Sequence, residues 1–174
     1  TEDVVSFYES KKQPDPTKPL SFGLNSKLVK EDGEVKEVVY KADGLYGESI
    51  SEIIRWINKA VDVAENKPQG DALKIVAEYY RTGDLKTWDD YCVAWTKATE
   101  GNIDYINGFI EVYNDPLGLR GSYENIVQIN DFDMSRKMSV LSENAQWFED
   151  NTTLMEEHKK AKVVGVSYKT VNVA

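Results

Sequence analysis

The chain has 174 residues, 41% of them hydrophobic and 29% charged, a balance that suits one soluble globular domain or one large subdomain. Its net charge of −9 argues against a nucleic-acid binder, which needs a basic stripe to displace counterions, and against docking on anionic lipid. One cysteine, Cys92, rules out an internal disulfide, and no apolar run reaches the length of a membrane span.

Val4, Val5 and Tyr8 share a face, so residues 2–10 are predicted to form a short helix. Three prolines make 11–19 a linker. Residues 20–29, with Leu20, Phe22 and Leu24 alternating, and 34–41 are predicted as a β-hairpin turning at Asp32-Gly33. Ser49 and Glu52 form a capping-box pattern ahead of a helix whose Ile50, Ile53, Ile54, Ile57 and Val61 line one face. Asn66-Lys-Pro68 breaks it. The next helix carries Leu73, Val76, Ala77 and Tyr80 and stops at Thr82-Gly83. Thr87 is the expected cap of a third, with Trp88, Tyr91, Cys92 and Trp95 inward and Gly101 at its end. Ile103, Ile106 and Ile110 predict a fourth helix from Asn102 to about Glu111. After the turn at Asn114-Asp115-Pro116, a short helix is expected around Tyr123, Ile126 and Val127, then a longer one through Met134, Met138, Leu141, Ala145 and Phe148. Residues 162–173 are β-branched and predict a strand, partnered by the hairpin or by a strand outside this chain. The expected fold class is α+β, mainly α: antiparallel helices with an N-terminal β-hairpin and a C-terminal strand, in a single (sub)domain over 1–174. The chain starts at Thr1 and stops at Ala174 inside that strand, and reads as a piece of a longer protein.

Chemistry is sparse. The lone histidine, His158, sits in a charged run with no second histidine at i+4, so a zinc site is not expected here. The glycines form neither a P-loop nor a dinucleotide fingerprint, and no twelve-residue calcium loop appears. Cys92 lies among aromatics and reads as a core thiol. Thirty acidic residues leave a carboxylate pair open without selecting one. The stretch GFIEVYNDPLGLRG (108–121) stands out, because it sets Glu111 where a helix C-terminus would prefer a cation. Two readings of it stand side by side. In one, Phe109, Ile110 and Tyr113 are core and Glu111 faces solvent. In the other, Glu111 is an acceptor for a cation at a cleft edge, with Tyr113 beside it.

The run GFIEVYNDPLGLRGSYENIV resembles a segment of the M49 metallopeptidases, the dipeptidyl peptidase III family, that reads roughly G-F-x-E-x-Y-x-D-P-x-G. SFGLNSKLVKEDGEV, YYRTGDLKTWDDYCVAW and SENAQWFEDN are similar to the family's bacterial branch, so the resemblance spans about 20–174. It implies a two-lobed zinc exopeptidase that removes dipeptides from the free N-terminus of oligopeptides. The zinc motif, H-E-x-x-x-H with a downstream glutamate, is absent from this chain. The chain is therefore expected to be the substrate-binding portion of such an enzyme, inactive alone, with zinc held by the metal-bearing lobe of the same parent. Glu111 and Tyr113 match the family's E-x-Y, whose members contact the substrate's N-terminal residue. Asp115-Pro116 and Gly118 match its turn, and Arg120 is expected to pair with Asp115 or to be solvated. The resemblance and the single thiol suggest a cytoplasmic protein. The alternative is a helical interaction module that binds a peptide or protein without catalysis.

Overall fold

The computed structural model describes residues 2–164 and 170–173. They form two compact units, Thr1–Gly101 with Asn107–Asn125, and Asn102–Ile106 with Ile126–Ala174.

In the first unit, helix α1 (Glu2–Ser10) is held by Lys11 just beyond it. That ammonium pairs with Glu37 and lies over the rings of Phe7 and Phe22, 5.2 and 5.1 Å from their centroids. The hairpin consists of β1 (Ser26–Glu31) and β2 (Glu34–Val39), antiparallel, in register from Ser26↔Val39 to Glu31↔Glu34. Asp32 and Gly33 both have positive φ, 51° and 86°, as a two-residue turn matched to strand twist requires. The first strand starts later than expected: residues 22–25 turn, and Leu24 and Asn25 are buried there instead of pairing. Asn25 ties the hairpin base to the helices. Its carbonyl accepts the Tyr40 N–H at 2.7 Å, and its amide donates to the Gly83 carbonyl at 3.0 Å.

Helix α2 (Gly47–Asp62) buries Ile50 and Ile57. Its N-cap is Tyr46 in the left-handed conformation, so Ser49 lies inside the first turn and the expected capping box does not form; Glu52 pairs with Arg55 instead. Helix α3 (Lys67–Thr82) is capped by Asn66, which accepts the Gln69 N–H at 2.9 Å, with Pro68 in the first turn where its missing donor costs nothing. Its buried face carries Leu73, Val76, Ala77, Tyr79 and Tyr80. Helix α4 (Leu85–Lys97) is capped by Asp84, not Thr87: the carboxylate accepts both the N–H and the hydroxyl of Thr87, at 2.9 and 2.7 Å. The helix ends at Lys97, ahead of Gly101. Trp88, Tyr91 and Trp95 pack ring against ring along it, and Cys92 is half-buried beside them rather than in the core, with burial pushing its thiol up.

Two predicted helices are strands. Residues Ile103–Glu111 form β3 and Ser122–Asn130 form β4. They hydrogen-bond as neighbours and run antiparallel: the Ser122 hydroxyl donates to the Glu111 carbonyl at one end, and the Asn130 N–H to the Asn102 carbonyl at the other. The isoleucine spacing fits a helix, but the β-branched and aromatic content of 103–113 favours a pleated strand once a partner is present. The negative helix terminus that made Glu111 look misplaced therefore does not exist.

In the second unit, the long predicted helix is two, α5 (Phe132–Glu143) and α6 (Ala145–Asp150), divided at Asn144. Helix α5 is capped by Asp131 through the Met134 N–H at 2.9 Å. The last strand, β5 (Val171–Val173), pairs antiparallel with β4 from Gln128↔Val173 to Asn130↔Val171. The partner observed for these residues is thus β4, and not the hairpin. Of the predicted 162–173 strand, residues 165–169 lie outside the described residues. The α+β class, the antiparallel helical layer, the N-terminal hairpin and the C-terminal strand stand as expected.

Gly33 and Gly83 separate two costs of adding a Cβ. Both have positive φ, but Gly33 faces open space, whereas a Cβ on Gly83 would lie 2.4 Å from the Val39 side chain. Gly33→Ala is expected to cost about 1 kcal/mol and Gly83→Ala about 3 kcal/mol, read as shifts of the urea midpoint by circular dichroism.

Candidate functional site

Alternation along β3 sends its residues to two destinations. Gly108 leaves room for Trp88, whose ring would stand 2.4 Å from a Cβ there, and Ile110 and Val112 line a crevice with Trp88 and Leu24. Asn107, Phe109 and Glu111 share the other face. Asn107 is buried and accepts from the Tyr80 hydroxyl at 2.5 Å. Its own amide donates to the Tyr123 hydroxyl at 3.1 Å and to the Asn125 carbonyl oxygen at 3.0 Å. Burial pushes the Tyr80 phenol far above its ordinary range, so it is a neutral donor at any working pH.

One step further along that face, Phe109 forms the floor of a cavity of about 520 Å³. Tyr40 and Tyr123 meet Phe109 at 5.0 and 5.7 Å between ring centroids, and Tyr46 meets Tyr40 at 5.2 Å. Ile50 and Ile53 of α2 supply aliphatic wall, while Asn114, Asp115 and Arg120 bring polar groups from the loop between β3 and β4.

Asp115 organises that loop. Its carboxylate accepts the N–H groups of Leu117 and Leu119 at 3.3 and 3.0 Å. Partial burial pushes its pKa up, but those donors, the Arg120 N–H and the Arg120 charge outweigh this and hold it below the usual carboxylate range. Arg120 acts on Asp115 through its field and forms no ion pair with it. Gly121 closes the loop: its N–H donates to the Leu24 carbonyl at 2.8 Å, and a Cβ would meet backbone of Leu24 and Phe109 at 2.9 Å.

Glu111 is the last residue of β3 and half-buried. Its carboxylate has no ion pair or hydrogen bond among the described residues, and its carbonyl accepts the Ser122 hydroxyl at 3.1 Å. Tyr113 lies in the following turn, 73% exposed. Neither side chain lines the cavity, although Ser122, bonded to Glu111, does. Reasoning from sequence missed the cavity and the Asn107 network. The available signal was a lone Asn-Gly pair inside an apolar run, next to a chain rich in tyrosine. His158 is exposed in a single 3-10 turn, Glu156–His158. Among the described residues no group of three or more His, Cys, Asp or Glu is placed to hold a metal ion, and no helix is long and apolar enough to cross a membrane.

Comparison with known proteins defines the class. The model of peptidase family M49 matches residues 23–172, and the chain belongs to that family. Dipeptidyl peptidase 3 of Dictyostelium discoideum is 29% identical over 117 residues, 67% of this chain and 16% of the relative. The Homo sapiens dipeptidyl peptidase 3 is 28% identical over 103 residues, 59% of this chain and 14% of the relative. Dipeptidyl-peptidase III from Corallococcus sp. strain EGB shares the fold with a TM-score of 0.62 at 18% identity, over 99% of this chain and 31% of that one. The chain thus spans well under a third of the length of the curated relatives.

Asp115→Ala is expected to lower stability by about 1 kcal/mol at pH 7, since it removes an acceptor from several backbone donors at a half-buried site. The folded pKa is depressed, so this contribution is complete above the ordinary carboxylate pKa of about 3.9 and fades as pH falls through the lower folded value. Melting curves of both proteins should differ at pH 7 and converge near pH 2.

Proposed function

We propose that this chain is the substrate-binding portion of a dipeptidyl peptidase, and that Glu111 and Tyr113 receive the free N-terminus of an oligopeptide. The observation that carries the reading is the Glu111 carboxylate: half-buried at a strand end, without a cationic partner among the described residues. An acid held there is poised for a cation from outside. A peptide α-amine has a pKa of about 8 and is mostly protonated at pH 7. Its hydrogen bonds to a carboxylate are charge-assisted and about twice as strong as neutral ones. The exposed Tyr113 hydroxyl adds a second contact two residues away. Fixing the amine sets a ruler, because two extended residues span about 7 Å. Cleavage after the second residue then requires only that the bond-breaking groups sit at that distance. Membership of the family and the naming of its relatives as dipeptidyl peptidases support this choice of ligand.

Zinc, which the family resemblance implies for a longer parent enzyme, finds no ligand group among the described residues. The contribution proposed for this chain is therefore binding and positioning, with the metal-bearing lobe of the parent as its partner and the cytoplasm as its compartment.

Titration with tetra-alanine, followed calorimetrically, tests the amine anchor. Glu111→Gln is expected to weaken binding at least tenfold, about 1.4 kcal/mol or more. Tyr113→Phe should cost less. N-acetylated tetra-alanine should bind weakly to all three proteins. Equal affinity of the free and acetylated peptides would sink the proposal. The chain alone should release no dipeptide from a chromogenic dipeptidyl substrate, with or without added zinc. Turnover that Glu111→Ala abolishes would refute the division of labour between two parts of an enzyme.

A further inference from the structure

The cavity over Phe109 has an unusual charge balance. Its lining includes one carboxylate, Asp115, and that group is already engaged by backbone N–H donors. The Ser122 and Tyr123 hydroxyls are also engaged, with the Glu111 carbonyl and the Asn107 amide. What remains is a set of groups that can donate. The Arg120 guanidinium has no ion-pair partner among the described residues, and the Tyr40 phenol is close enough to feel its charge: burial pushes that phenol up and Arg120 pulls it back. The Ser49 hydroxyl and the Asn114 amide complete the polar edge. Below them lies an apolar floor of Phe109, Tyr40, Ile50 and Ile53.

We propose that this cavity binds a carboxylate carried on an aromatic or branched apolar body, with the ring or branch on Phe109 and the carboxylate on Arg120. Planar guanidinium suits a carboxylate because two parallel N–H donors match its two oxygens. At about 520 Å³ the space lies within the range of ordinary small-molecule pockets. The body suits the aromatic walls, and the acid suits a lining whose one cation, Arg120, has no ion-pair partner among the described residues. The lining contains neither Glu111 nor Tyr113, so the inference stands apart from the amine anchor. A free small acid and the C-terminal carboxylate of a peptide share this chemistry.

The test is a titration of the ¹⁵N-labelled chain, read from amide shifts of residues 109 and 120–123. The probes are 3-phenylpropionate, N-acetylphenylalanine and the primary amides of both. Each carboxylate is expected to bind at least fivefold tighter than its amide, and raised salt should narrow that gap. Arg120→Gln should erase the preference while leaving the weak binding of the amides. Ser49→Trp, which fills the cavity from an exposed helix position, should remove binding of all four. Glu111→Gln should change nothing, which separates this site from the anchor for the peptide amine. Tighter binding of N-acetylphenylalanine assigns the cavity to a peptide C-terminus, and tighter binding of 3-phenylpropionate assigns it to a free acid. Absence of carboxylate binding, equal binding of acid and amide, or an Arg120→Gln protein of unchanged melting temperature that keeps the preference, overturns it.

Discussion

The buried Asn107 amide is the constraint on which the site depends. A polar side chain at that depth must satisfy both its oxygen and its nitrogen, and only one arrangement does so here: Tyr80 of α3 on one side, Tyr123 and Asn125 of β4 on the other. That requirement fixes which face of β3 turns toward α3. A strand slipped by one residue would bury Gly108 at this point and strand the amide against Trp88. With the face set, Phe109 falls on the cavity and Glu111 follows at the strand end, because residues two apart share a side.

The loop after β3 solves a related problem with charge. Residues 112–121 must reverse direction, leave Tyr113 exposed and return Gly121 against Leu24. One carboxylate, Asp115, gathers the backbone donors that would otherwise face water in no fixed order. That carboxylate is engaged by the loop's own N–H groups, and Arg120 at the cavity edge forms no salt bridge among the described residues. A single acid thus shapes the turn without pairing with the neighbouring cation. Glu111 presents the opposite case earlier in the chain, an anion with no cation beside it among the described residues. Two charges of opposite sign, neither in an ion pair among the described residues, flank the loop between β3 and β4.

Much of the layout was legible in the sequence. The hairpin was visible because Asp32-Gly33 demands positive φ at two successive residues, a local condition. Helices α2 and α3 were visible because their apolar residues recur on one face over four turns, and their ends were marked by Asn66, Pro68 and Gly83. The caps were less legible. Ser49 and Thr87 have the right chemistry, yet Tyr46 and Asp84 hold the positions, because the entry of each helix is set by what precedes it. Strands β3 and β4 were misread for a clearer reason. Isoleucines at 103, 106 and 110 satisfy a helical period, and the strand is chosen instead by hydrogen bonds to β4, further along the chain. The proposed anchor was found through its resemblance to a family motif, whereas the cavity beside it left no motif at all.

The sequence by itself determined the family, the α+β class, the exclusion of an internal disulfide, and the identity of the acid and tyrosine at 111 and 113. These depend on residue identity and on spacings within one element, which a linear reading contains. Only the tertiary structure decided that Glu111 ends a strand, that its carboxylate meets no cation among the described residues, and that Arg120 lines the same cavity as Phe109. Each of those facts rests on groups distant in the chain brought within a few ångströms, and strand pairing and burial, not local propensity, supply the free energy that selects them.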